Sequence, residues 1–205
     1  MKKIFLLLLL LQSITTWGQE RKQYFIGDIY DSAGVRGIVV QVKENGYHGL
    51  IMSLDEIEEY WYCNPSNPYW KMVTSASDCN NGMHNQEIIS EIINLYNLSW
   101  DLFPAFKWCK DKGEGWYLPA INELVEINKA YHGGEIKKNK AAQIAFNRIL
   151  EENGGKPLQN SFTDYLSSTE ITGEKVYTIH FESGMFAYGK EGSKGKMAIR
   201  AVRKF

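Results

Sequence analysis

The spacing of apolar and polar positions changes several times along this 205-residue chain, and each change marks an element. "YFIGDIYD" (24–31) has a short strand pattern. "GIVVQVKENGYHGLIMSL" (37–54) contains two apolar runs on either side of Asn45-Gly46, residues that tolerate positive φ, and so predicts a β-hairpin. From Asp55 to Asn85 the periodicity is lost in a stretch rich in Asn, Ser, Asp, Pro and aromatic residues, which predicts loop. Helical spacing then takes over. Ile88, Ile89, Ile92, Ile93 and Tyr96 predict a helix over 86–98. Residues 103–113 predict a short one, with Pro104 in its first turn and Gly113 as its stop. Pro119 opens a helix over 118–132, with Ile121, Leu124, Val125 and Tyr131 along one side. Ala142, Ala145, Phe146, Ile149 and Leu150 predict another over 140–152, ended by Gly154-Gly155. Strand patterns return at 164–169, 175–183, 185–191 and 196–205. Strands, then helices, then strands, without βαβ alternation, predict one α+β domain.

The first residues carry a different signal. Lys2 and Lys3 precede the unbroken apolar run Ile4 to Leu11, and Thr16 and Gly18 supply small residues before a cut after Gly18. This is the pattern of a secretory leader, 1–18, leaving a domain of 187 residues over 19–205. The run is shorter than the roughly 20 apolar residues that span a bilayer, and no later segment approaches that length, so an integral membrane protein is not expected. The chain has 23 lysines and arginines against 24 acids. Losing Lys2 and Lys3 with the leader leaves 21, a net charge of −3, and no electrostatic reason to expect a nucleic acid partner. Cys63, Cys79 and Cys109 in an exported chain allow one disulfide and leave one thiol, with three pairings open. A bridge from Cys63 or from Cys79 to Cys109 would tether the aromatic loop; Cys79 with Cys109 is the candidate pair.

Three segments, "FPAFKWCKDKGEGWYLPAINEL" (103–124), "YLSSTE" (165–170) and "IRAVRKF" (199–205), occur in order. With "GDIYDSAGVRGIVVQVKENGYHGLIMSLDE" near the front, they resemble the Lcl C-terminal domain family of secreted or surface-displayed bacterial domains. That family is related at fold level to C-type lectins and formylglycine-generating enzymes. The resemblance implies a C-type-lectin-like α+β fold: mixed and antiparallel strands, two core helices with one or two more, paired terminal strands, and a loop-rich upper face that carries ligand. Leu166 departs from the aromatic residue usual there. Trp61 sits where the family places a core tryptophan, whereas Cys63 to Trp70 has no counterpart in the pattern.

Enzymatic chemistry finds little support in the sequence. There is no G-x-S-x-G elbow, H-E-x-x-H pair, phosphate-cradling glycine loop or dinucleotide fingerprint. His48, His84, His132 and His180 are scattered, and no cysteine follows Cys109, where the related cysteine enzymes keep their active pair. A non-enzyme without a cofactor is therefore expected. Glu123, near a helix start, reads as a capping or buried-pair acid. Arg200 and Arg203 would face opposite sides of one strand, one of them pairing with an acid at the sheet's edge. Calcium is weighed through Asp78, Asn80 and Glu87. However, "SDCNNGMHNQE" (77–87) misses the EF-hand pattern, with Gly82 one position early and Ile89 where the bidentate Glu belongs.

The expected function is thus a secreted, adhesin-like binding domain for a surface glycan or protein. Tyr62, Tyr69 and Trp70 are its candidate stacking groups, and Asp78, Asn80, Asn81 and Asn85 its hydrogen-bonding groups. The competing reading is a structural or assembly subunit of the bacterial envelope, in which the same aromatics only pack the loop.

Overall fold

A computed structural model describes residues 22–64, 72–135, 137–159, 163–173, 175–181 and 195–205, and the backbone of 188–191. The expected leader lies outside these residues. Among the described residues, ten strands and four α-helices follow one another as β1 (Ile29–Ser32), β2 (Val35–Lys43), β3 (His48–Met52), β4 (Ile57–Glu59), α1 (Gly82–Leu95), α2 (Pro104–Asp111), β5 (Trp116–Tyr117), α3 (Ile121–Tyr131), α4 (Lys140–Glu152), β6 (Asp164–Thr172), β7 (Lys175–His180), β8 (Tyr188–Glu191), β9 (Met197–Ile199) and β10 (Val202–Lys204). They form two five-stranded sheets, β1-β2-β3-β10-β5 and β4-β9-β6-β7-β8. The first is antiparallel throughout; the second is mixed, because β6 and β9 run parallel. The α+β class expected from the chain is therefore present.

The β2–β3 hairpin turns where the sequence predicts. Asn45 and Gly46 have φ of +57° and +91°, and a Cβ on Gly46 would come within 2.3 Å of the Tyr24 carbonyl oxygen, so only glycine fits. The register contains one irregularity. Ile38 faces Met52 and Val39 faces Ile51, but Gln41 faces Leu50, which leaves Val40 as an extra residue in β2. This bulge shifts the alternation beyond it. Gln41 and Lys43 consequently share a face with Ile38, and Val42 shares the opposite face with Val39.

The run 196–205, expected as one strand, is broken at Arg200-Ala201, where the chain passes from the second sheet into the first. Residues 53–56, between β3 and β4, cross in the opposite sense beside it. The two crossings are tied by Ser53 N–H donating to the Ala201 carbonyl (2.8 Å) and Ala201 N–H donating to the Ser53 hydroxyl (3.1 Å). Arg200 locks them. Its Nε donates to Glu56 at 3.0 Å, and neither side chain has any solvent exposure. Nη1 donates to the carbonyls of Ser53, Leu54 and Asp55, and Nη2 to those of Lys156 and Pro157. Glu56 also accepts from the Tyr165 hydroxyl (2.7 Å) and the Gln159 amide (2.9 Å), and pairs with Lys156 (2.8 Å). Arg200 thus pairs with an acid in the interior, not at a sheet edge. At a crossing the backbone leaves its sheet pairing, so a buried guanidinium finds several carbonyls that need a donor.

Two apolar clusters fill the fold. One joins Val39 and Ile51 to Ile89, Phe103, Phe106, Trp116, Leu166 and Ile199, beneath α1 and α2. The other joins Ile38, Leu50 and Met52 to Leu124, Ile127, Phe146, Leu150, Tyr165 and Val202, beneath α3 and α4. Helix α4 occupies the predicted span, while α1 starts four residues before the predicted 86 and Pro119 precedes α3 without entering it. The short β4 lies in a segment expected to be loop; it pairs with β9 through Ile57 and Ile199.

Replacing Arg200 by Ala should cost about 3–5 kcal/mol, because it strands Glu56 in the interior; chemical denaturation would measure the loss. Burial alone would raise the Glu56 carboxyl, but Arg200 and the Lys156, Tyr165 and Gln159 hydrogen bonds hold it below its ordinary 4.5. A lowered folded pKa contributes stability above that ordinary value and loses it as pH falls through the folded value. The acid-side decline in melting temperature should therefore be shallower in Glu56→Gln.

Candidate functional site

The expected stacking groups do not come together in the described residues. Tyr62 is 8% exposed, its ring 5.4 Å from that of Phe103 and its phenol engaged with Asn64. It belongs to the core and offers no face to a ligand. Trp61, expected in the core, is there, edge-on to Phe106 at 5.2 Å and Phe103 at 6.0 Å. Tyr69 and Trp70 lie outside the described residues.

The expected hydrogen-bonding groups are adjacent, but most bond to the chain itself. The Asp78 carboxylate accepts from the backbone N–H of Asn80 (2.7 Å) and Asn81 (3.0 Å), forming an Asx turn before α1. Asn85 is fully buried. Its Oδ1 accepts from Asp78 N–H (2.9 Å), and its Nδ2 donates to the Asp78 carbonyl (2.8 Å) and the Ser168 hydroxyl on β6 (2.9 Å). Asn80 accepts from the Asn122 amide (2.7 Å), and Asn81 from Lys204 Nζ (3.3 Å). Glu87, weighed as a calcium ligand with Asp78 and Asn80, is exposed and faces His84 at 3.5 Å. Among the described residues no three His, Cys, Asp or Glu side chains are clustered as metal ligands.

Glu123 organises the ground beside this turn. One carboxylate oxygen accepts from the Tyr117 hydroxyl (2.7 Å), the other from the N–H groups of Ala120 (2.9 Å) and Gly82 (3.0 Å). It therefore caps two helices at once, α3 on its own element and α1 across the fold. Gly82 is required for this approach, since a Cβ there would come within 2.3 Å of the Leu118 carbonyl and 2.9 Å of Glu123. Burial pushes the Glu123 carboxyl above its ordinary value; the Tyr117 hydroxyl, the two amides and Lys204 act against that rise.

The Cys79–Cys109 disulfide expected from the sequence is not formed: all three cysteines are free. Cys109 is fully buried beneath α1 and α2 and Cys79 packs on the other cluster, so the two thiols belong to different cores. Burial pushes the Cys109 thiol well above its ordinary value, which keeps it protonated and inert.

A concave site does occur elsewhere, between the first sheet and α3. The rows Gln41–Leu50–Lys204 and Lys43–His48 lie on the sheet face that, one row earlier, is the apolar Ile38–Met52–Val202 core. Asn122, Val125, Glu126 and Lys129 are spaced i, i+3, i+4, i+7 and present one face of α3 opposite them. Together with Asn80 they enclose a groove of about 610 Å³. Lys129 pairs with Glu126 at 2.6 Å, while Lys43 and Lys204 have no ion-pair partner among the described residues. Of the described residues proposed from sequence as ligand contacts, only Asn80 lines this groove, with Asn81 holding Lys204. The lysines could not be singled out from sequence, because their common face depends on the bulge at Val40.

The chain matches no family model and no curated protein. Among solved structures it is similar to a fimbrial protein from Bacteroides ovatus, with a TM-score of 0.62 and 18% identity, over 89% of this chain and 49% of that one. The chain thus spans about half the length of that structure, and at this identity the likeness concerns the fold. No described helix is long and apolar enough to cross a membrane.

If Asn85 is a structural tie, Asn85→Ala should lower stability by about 2–4 kcal/mol, since it leaves buried partners unpaired. Asn80→Ala, at an exposed position, should stay within about 0.5 kcal/mol; urea unfolding of both variants separates the two roles.

Proposed function

We propose that this chain is an exported, non-enzymatic binding domain of the bacterial envelope, adhesin-like in role, which recognises a protein displayed there. The groove between the first sheet and α3 carries this reading. Its floor strands β2, β3 and β10 are each paired on both sides, and its wall is a helix capped by Glu123, so the surface is pre-organised. Its lining is polar and apolar in about equal parts, with side-chain amides and amines beside Leu50 and Val125, and it is open to one side, which suits a macromolecular contact better than an enclosed small molecule. The resemblance to the Lcl C-terminal domain family would make this a C-type-lectin-like domain with a leader over 1–18, and the two-sheet α+β architecture is compatible with it. The likeness to a fimbrial protein fits a place at the cell surface.

A second reading, a structural or assembly subunit of the envelope with no small-molecule ligand, is favoured by one observation. The loop residues expected to bind ligand, Tyr62, Asp78 and Asn85, are engaged in holding the fold. Stacking of a glycan on that loop would rest on Tyr69 and Trp70, with Asn80 and Asn81 as the remaining hydrogen-bonding groups.

The test is the binding of labelled protein to isolated bacterial envelopes. Val125→Trp, which fills the groove from the α3 side, should weaken saturable binding about tenfold or more, and protease treatment of the envelopes should abolish it. Binding that is unchanged in Val125→Trp would overturn the groove reading; binding that survives protease would overturn a protein ligand.

A further inference from the structure

The charges and shape of the groove carry the proposal one step further, resting on the reading that this groove is the contact surface. We propose that its occupant is an acidic polypeptide segment of the partner, anchored by Lys43 and Lys204. Three amines, Lys43, Lys129 and Lys204, face a space that contains two acids. Glu126 is taken by Lys129 at 2.6 Å. Glu123 turns both oxygens inward, to Tyr117 and to the N–H groups of Gly82 and Ala120. Lys43 and Lys204 project from rows two residues apart along the strands of one sheet face, Lys43 on β2 beside His48 and Lys204 on β10 beside Leu50. Neither forms an ion pair among the described residues; Lys204 donates to the Asn81 amide oxygen at 3.3 Å and acts on Glu123 only from a distance. Two unneutralised amines on a rigid floor select carboxylates by long-range attraction.

The rest of the lining favours a peptide over an acidic sugar. Sugar sites present an aromatic face for the apolar side of the ring. The one aromatic residue here, Phe205, turns its ring to the other face of the sheet, 5.4 Å from Tyr24 and 5.1 Å from Tyr30. The side-chain amides of Gln41, Asn80 and Asn122 can each donate and accept, as a peptide group requires. Added-strand binding is closed to this ligand, since every floor strand already has two neighbours. Side-chain carboxylates therefore supply the attachment, which makes binding sensitive to salt.

The experiment uses the full chain and a fluorescently labelled glutamate-rich peptide as probe, followed by anisotropy at low and high salt. The expected result is saturable binding that weakens about tenfold at high salt and about tenfold or more in Lys43→Glu/Lys204→Glu. Lys110→Glu/Lys140→Glu, which makes the same charge change on α2 and α4, should leave it unchanged. Carbodiimide coupling of the bound probe should map to Lys43 and Lys204 by peptide mass. Equal loss in both double variants, or coupling confined to other lysines, would overturn the assignment. Tighter binding of polygalacturonate than of the peptide would overturn it in favour of an acidic glycan. Should the probe fail while Val125→Trp still blocks envelope binding, the acidic-segment inference falls and the groove reading stands; failure of Val125→Trp to block would remove both.

Discussion

The Arg200–Glu56 pair is the constraint on which the two sheets depend. Each sheet is closed by a strand delivered through a crossing, and both crossings meet at this pair. Removing two charges from water is costly, and their mutual attraction alone seldom offsets it. Here the offset comes from completeness. The guanidinium reaches carbonyls from residues 53 to 55 and 156 to 157, while the carboxylate collects Lys156, Tyr165 and Gln159. Backbone that would otherwise be unpaired at the seam is thereby satisfied, and the loop after α4 is drawn into the same knot by Lys156 N–H on the Leu54 carbonyl.

From that seam the effect passes outward to the groove. Position 200 sets where β10 begins, and β10 carries Val202 into the core, Lys204 onto the groove floor and Phe205 over Gly49. Glu123 plays a matching part at the wall, fixing the starts of α1 and α3. The two buried acids have opposite electrostatic characters. Glu56 is held ionised by a cation, whereas Glu123 has only dipoles and a distant amine, and burial prevails. One can be called a charge pair and the other a cap, although both are glutamates in an interior.

Much of the architecture was legible before the structure. The hairpin at Asn45-Gly46 and the helix over 140–152 follow from local chemistry, because turn residues and periodicity act within a few positions, while the core place of Trp61 was expected from the family resemblance. Glu123 as a cap was legible for the same reason. What escaped is non-local. The break at Arg200 is invisible in a run that reads as one strand, since the cause is an acid far away in sequence. Tyr62 looked available because it stands in a loop, but Phe103, on a separate segment, covers it. Asp78 and Asn85 looked like ligand donors because Asx turns and binding loops use the same residue types. The groove lysines come from two strands and a helix, and nothing in their spacing announces a common destination.

The extra residue at Val40 separates the floor of the groove from the core beneath it. Strict alternation from Val39 onward would send Gln41 and Lys43 into the cluster under α1 and α2, and would turn Val42 outward. Deleting Val40 would leave Gln41, Val42 and Lys43 opposite Leu50, Gly49 and His48 as they now stand, whereas keeping all residues and flattening the bulge would exchange the chemistry of the two faces. The charge of this face is therefore encoded as a reading phase, set by the point at which the strand takes up its extra residue.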